Sequence, residues 1–246
     1  QRQMCIRDRF GCHHWPMWGK ERVISFLKKQ RDLYKFIHDQ TLRLANKGFS
    51  KEEIAEQIKL PQSLSQEFFN RDYYGTVHHN SKAVFVRYLG YFDGNPSTLF
   101  ERPPVERAIR YVDWMGGPAK ILEKARESFD SGDYRWTAEV LNHVVMAEEK
   151  HEEARCLLAD TLEQLGYQSE SATWRNFFLC GALELREGLP PTRDFVPSSG
   201  MAAGIPIDQV FKTMAVRLLP EQVDGEVIQV GIDLTDDAPY LLSIEN

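Results

Sequence analysis

Residues 118–168 read PAKILEKARESFDSGDYRWTAEVLNHVVMAEEKHEEARCLLADTLEQLGYQ. Apolar positions recur there every three or four residues, and Gly or polar pairs punctuate them, which is the signature of successive amphipathic helices. The spacing predicts helices over 118–130, 134–147 and 150–165, with a further one over 170–186. This run sets the fold class as mainly α. On its N-terminal side, Glu106–Met115 has the same period and stops at Gly116-Gly117-Pro118.

Two small-residue patterns in this region echo each other at roughly 34 residues. Ala125, Gly132, Tyr134 and Ala138 make the first, and Ala154, Ala159, Gly166 and Tyr167 the second. They are similar to halves of a tetratricopeptide unit, in which small residues let adjacent helices approach closely. An ordinary helix pair in a bundle gives the same pattern, and both readings stand at this stage.

Further upstream, Val23, Leu27, Tyr34, Ile37, Leu42 and Ala45 define a helix over residues 20–46, ended by Gly48. Ser50 and Glu53 form a capping-box pattern for a helix over Lys51–Lys59, which Pro61 stops. A third short helix is expected over Ser63–Asn70. Residues 71–104 are irregular and rich in aromatics and histidine, with one helix expected over Ser81–Leu89 and turns at Asp93-Gly94-Asn95-Pro96 and Pro103-Pro104.

Downstream, residues 187–205 hold three prolines and three glycines and read as a linker. Ile207–Leu218 follows as a helix. Ile228, Val230, Ile232 and Leu234 then alternate as a half-buried strand, and Tyr240–Ile244 begins a second. The chain starts with Gln and stops inside that strand pattern, so more sheet is expected beyond Asn246.

Composition narrows the function. The 246 residues are 42% hydrophobic and 27% charged, with a net charge of −6. That mixture buries a core, which excludes wholesale disorder. The acidic balance weighs against a dedicated nucleic-acid binder. No apolar run of 18 residues exists, so no membrane-spanning helix is expected. Cys5, Cys12, Cys156 and Cys180 lack CxxC spacing and suggest neither a zinc ribbon nor a disulfide scaffold.

Two constellations can hold chemistry. His13-His14-Trp15-Pro16 offers imidazole, the commonest nitrogen ligand for zinc. Adjacent histidines in a strand point to opposite faces, so one of them at most meets a given metal. No HxHxD run accompanies them, and an exposed pair near a frayed terminus is the competing reading. The second constellation is His78-His79-Asn80-Ser81 with Arg87-Tyr88-Leu89-Gly90-Tyr91. Asn80 suits the N-cap of the Ser81–Leu89 helix, whose free N–H groups would face an anion. The competing reading is a capped helix with tyrosines in the core. Glu148, Glu149, Glu152 and Glu153 read as a solvated helix start, and Trp136 and Trp174 as core. No Walker loop, GxGxxG, GxSxG or HExxH occurs.

The segments HHWPMWG, LYKFIHDQTLRLANKG, HHNSKAVFVRYLGYFDGNP, YVDWMGG and DYRWTAEVLNHVV resemble the alkyl sulfatase family. The resemblance runs from about Phe10 to Asn246. It implies a zinc-dependent, metallo-β-lactamase-type sulfatase that hydrolyses linear primary alkyl sulfates, such as dodecyl sulfate, to alcohol and sulfate. It implies two zinc ions, a homodimer, and a C-terminal sterol-carrier-like module. On that mapping residues 1–9 are an artefact or disordered. Residues 10–19 end the catalytic domain, 20–186 form the helical dimerisation domain, 187–205 the linker, and 206–246 the start of the truncated α+β carrier-like segment.

The resemblance assigns the last metal-ligating histidine to His13 or His14. It places Tyr88 on the substrate sulfate, with Tyr91 as the competing phenol, and Asn80 of the second constellation joins them as a candidate substrate contact. His79 becomes the group that protonates the leaving oxygen or stabilises its charge. The family's HxHxDH motif is absent from these residues, so the chain alone is expected to show no turnover. A non-catalytic tetratricopeptide-like scaffold is the rival reading. Nothing in the sequence decides the cellular compartment.

Overall fold

The computed structural model describes residues 7–13, 15–189, 191, 200, 204–235 and 239–245. The chain divides into two compact units after Pro190, inside the expected linker.

In the first unit, a two-residue antiparallel pair, β1 (Asp8–Arg9) and β2 (Met17–Trp18), precedes a long helix, α1 (Lys20–Ala45). Residues 7–9 are therefore ordered against the rest of the unit. Gly19 N–H donates to the Arg7 carbonyl, and the Arg9 guanidinium lies 4.1 Å over the Phe26 ring. Helix α2 (Lys51–Gln57) opens on the capping box expected of Ser50 and Glu53, with both reciprocal hydrogen bonds present.

Two local expectations are corrected. The helix expected over 63–70 is instead a single turn, α3 (Gln62–Ser65), followed by a separate 3-10 turn at Phe68–Asn70. The cause is Asn70, which is buried. Its amide nitrogen donates to the Leu64 carbonyl at 3.1 Å, and its amide oxygen accepts from Gln30 at 2.7 Å. Such side-chain bonds compete with a continuing helix ladder. Helix α4 spans Val77–Leu89 and so starts four residues earlier than expected.

A first apolar cluster gathers Leu44, Ile54, Ile58 and Phe85 between α1, α2 and α4. A second gathers Val112, Ile121, Leu122, Ala125, Leu141, Val144, Ala154 and Leu158 from α5 (Pro104–Trp114), α6 (Pro118–Asp130), α7 (Tyr134–Ala147) and α8 (Glu152–Gln168). Helix α9 (Ala172–Glu187) packs along α8. A Cβ on Gly166 would sit 2.9 Å from the Leu179 side chain, so any larger residue there would force that side chain to shift. Gly166 thus serves the close helix approach expected of the pattern, whereas Gly132, at φ 84° with nothing within 4 Å of a Cβ there, serves a turn.

The two clusters meet across a polar seam. Ala172 N–H donates to the Tyr73 carbonyl at 2.8 Å, and Ser171 Oγ and Thr173 Oγ1 both donate to the Tyr74 carbonyl. Arg135 pairs with Glu56 at 2.8 Å, and Arg71 with Glu170.

The second unit holds α10 (Ile207–Ala215) and an antiparallel hairpin, β3 (Ile228–Ile232) with β4 (Tyr240–Ile244), in register Ile228 to Ile244. Ile228 and Ile232 are half-buried as expected, but Val230 between them is exposed. A two-stranded ribbon has too little surface to bury a whole face.

Candidate functional site

Asn80 does not cap α4. Thr76 does, its hydroxyl accepting from His79 N–H at 3.0 Å, while the Asp72 carboxylate accepts from Val77 N–H. Two of the free N–H groups expected to face an anion are therefore already satisfied. Threonine lies four residues before Asn80, and either residue type caps well, so the sequence signal was ambiguous by one helical turn.

The early start puts His79 and Asn80 in the first turn of α4 and leaves both exposed. His79, Ala83 and Arg87 follow at intervals of four, so they share one face. Asn80 and Val86 flank that face, and all five are exposed. Asn80 forms no side-chain hydrogen bond among the described residues. It sits at the rim of a groove of about 560 Å³ between α1 and α4, with Leu33, Ile37, Ala83 and Val84 in its wall.

His79 is fixed from behind. Trp174, near the start of α9, donates its indole N–H to His79 Nδ1 at 2.9 Å, with ring centroids 4.7 Å apart. An acceptor at Nδ1 places the ring proton on Nε2. Trp174 is thus half-buried against imidazole and not a core residue as expected. Trp136 is 53% exposed and is not core either. Neighbouring His78 packs edge-on against the same indole, ring centroids 5.5 Å apart, and its Nε2 lies 3.3 Å from the Glu56 carboxylate. Burial holds its imidazole below the usual histidine value, with the nearby Lys82 charge acting in the same direction.

Tyr88 stands apart from His79. Nine residues amount to about half a turn of azimuth and ~14 Å of rise along α4, so the two lie on opposite faces. Tyr88 instead meets α1, its hydroxyl 2.9 Å from His38 Nε2. His38 Nδ1 lies 2.8 Å from Asp39. No spacing rule pairs residues 38 and 88, and the sequence alone missed this contact. Tyr91 follows the Gly90 cap, is 82% exposed, and offers its carbonyl to Lys51 at 3.3 Å. A single cradle holding His79, Asn80, Tyr88 and Tyr91 is therefore not what the helix presents.

His13 is exposed near β2, and His14 lies outside the described residues. Among the described residues no group of three or more His, Cys, Asp or Glu comes together as a metal site. Since zinc needs three or four protein ligands, these residues alone do not fit a complete zinc site. Among them, too, no helix is long and apolar enough to cross a membrane.

The helix pairs make this a helical module, and α4 gives it an exposed face that carries His79, Asn80 and Arg87. The alkyl sulfatase dimerisation family model matches residues 50–188. A linear primary-alkylsulfatase from Pseudomonas sp. is 50% identical over 98% of this chain and 36% of its own length. The alkyl/aryl-sulfatase BDS1 of Saccharomyces cerevisiae is 48% identical over 95% of the chain and 36% of its own. The solved stereoselective inverting sec-alkylsulfatase Pisa1 from Pseudomonas sp. superposes with a TM-score of 0.89 at 40% identity, covering 95% of this chain and 37% of that one. The chain belongs to the alkyl sulfatase dimerisation family. It spans about a third of the length of the curated relatives it matches.

Proposed function

We propose that this chain is the helical, dimer-forming part of a zinc-dependent alkylsulfatase that cleaves linear primary alkyl sulfates, such as dodecyl sulfate, to alcohol and sulfate. The observation that carries the reading is the His79–Trp174 pair. It presents one oriented Nε2–H on an exposed face that also holds Asn80 and an Arg87 with no ion-pair partner among the described residues. Imidazole, amide and guanidinium donors suit a sulfate group, which is all acceptors.

The same pair supports the second of two roles for His79. With the indole N–H on Nδ1, the ring proton sits on Nε2. His79 then acts as a hydrogen-bond donor to the charge growing on the sulfate or leaving oxygen, and the proton itself comes from elsewhere. Tyr88, half a turn away and bonded to His38, stands outside this donor set. His13 or His14 contributes a ligand to a zinc site completed by residues outside this chain. A zinc ion held there would supply a water acidic enough to attack at neutral pH.

Zinc content and sulfate release from dodecyl sulfate test this reading in the polypeptide that carries the chain together with its upstream sequence. Bound zinc and sulfate release are expected, and the absence of both overturns the reading. The 246 residues alone should release no sulfate. In light scattering they should run near 57 kDa, twice the 28.5 kDa of one chain. A monomer would contradict the dimer-forming role.

A further inference from the structure

The functional reading makes the chain dimer-forming but names no face for the contact. It also leaves α5 and the loop before it without a role. The two most exposed large apolar side chains among the described residues lie there, Phe100 at 97% and Trp114 at 89%. Trp114 belongs to the string YVDWMGG and is the last residue of α5. Ala108 and Val112 turn inward, and Arg107, Tyr111 and Trp114 follow one another along one flank at spacings of four and three. That flank and the loop residues Ser97, Glu101 and Arg102 line a groove of about 490 Å³. Its walls are held in place. Tyr111 packs its ring on His143 of α7, centroids 4.8 Å apart. Arg107 holds the loop through Glu101 at 2.6 Å, and Glu106 takes Arg102 at 2.8 Å and Arg110 at 3.1 Å.

We infer that the groove beside Trp114, with Phe100 at its edge, is the surface through which two copies of this chain meet across a two-fold axis. The alkyl sulfatase dimerisation match covers every residue of this patch, but a match names no face. The composition is that of an interface centre. Trp, Tyr and Arg dominate binding energy where proteins meet, and lysine, which such centres avoid, does not line the groove.

Charge favours a second copy as the occupant. A two-fold contact sets a patch against its own image, so a patch of one sign would repel itself. Here Arg102, Arg107 and Arg110 are interleaved with Glu101 and Glu106. Each guanidinium has five donors and spends only part of them on its own carboxylate, so the rest can reach carboxylates of the second copy. A strongly acidic partner would instead call for arginines with no carboxylates between them. The area is of the right order. Phe100 and Trp114 would together bury roughly 300–500 Å² once covered. That is about half of the ~800 Å² that a stable interface takes from each partner, and the groove walls supply the rest.

This inference rests on the dimer-forming reading, and light scattering on the 246-residue chain separates the two. The parent should run near 57 kDa, twice 28.5 kDa. Trp114→Glu and Phe100→Ser should keep the parent's helix content by circular dichroism, because neither side chain belongs to the core. Each change occurs twice in a two-fold contact, so the dissociation constant should rise roughly thirtyfold or more. The mass should then fall toward 28.5 kDa on dilution. Phe177→Ser alters a similarly exposed aromatic on α9 and should leave the dimer intact. A parent that is a monomer removes the dimer-forming reading and this face together. A dimer whose affinity is unchanged by both Trp114→Glu and Phe100→Ser overturns this face and leaves that reading standing, as does a dimer that Phe177→Ser alone dissociates. In the upstream-extended polypeptide, Trp114→Glu and Phe100→Ser forms that melt lower yet remain dimers would give the patch to the upstream sequence, which also overturns it.

Discussion

Trp174→Phe isolates the role assigned to the indole behind His79. Phenylalanine keeps an aromatic ring beside the His78 and His79 rings, which lie 5.5 and 4.7 Å from Trp174, and removes only the N–H donor and part of the ring. A net hydrogen bond is worth about 0.5–1.5 kcal/mol, and 1.4 kcal/mol is a factor of ten, so the indole biases the His79 tautomer roughly two- to tenfold. Losing that bias lets the ring proton move to Nδ1 or the ring turn away. In ¹⁵N spectra the wild-type chain should show His79 with Nε2 protonated, and the variant should show a mixture. In the upstream-extended polypeptide kcat/KM for dodecyl sulfate should fall by the same two- to tenfold. Stability should drop by about 1–2 kcal/mol, a few degrees in Tm. A variant whose His79 stays wholly in the Nε2 form at wild-type kcat/KM would refute the claim that Trp174 sets the tautomer.

Two further outcomes concern stability. Leu141 is fully buried in the larger apolar cluster; Leu141→Ala should cost about 2–5 kcal/mol by thermal melting, and a loss under about 1 kcal/mol would mean the site collapses or is not packed as described. His78 and His143 are both held below the usual imidazole value of 6.5, each chiefly by burial. The unfolded chain therefore binds protons more readily below pH 6.5, so stability is complete above that value and declines as pH falls through it. Tm should drop between about pH 7 and about pH 5.5, and His78→Gln should flatten that slope; an unchanged slope would remove His78 from the cause. The lowered carboxyls of Glu53 and Glu56 act in a separate window, below their ordinary value of 4.5.

Local signals made much of the fold legible. Ser50 and Glu53 announce a capping box three residues apart, and Gly116-Gly117-Pro118 announces a break between two helices. These rules act within one turn, so sequence exposes them directly. Asn70 was misread because its effect depends on Gln30, forty residues away. The start of α4 was misread because Thr76 and Asn80 are both good caps and the choice turns on what Asp72 and the packing around Ser81 favour. At the site, the imidazole of His79 was visible but its partner was not. Trp174 is 95 residues distant, and an indole at a helical position looks like core until the neighbouring helix is in place. His38 and Tyr88 meet for the same reason, across two helices whose relative rotation no spacing records.

The polar seam between the two apolar clusters has a kinetic meaning. Segments held by a few hydrogen bonds open at lower free energy than segments buried in a core. The amide of Ala172, bonded across the seam to Tyr73, should therefore exchange with solvent well before the amides around Leu141. Each such opening carries α9 away from α4 and takes Trp174 with it. His79 is then oriented only for the fraction of time the seam is shut, and a ligand or partner that clamps the seam would organise the imidazole without touching it.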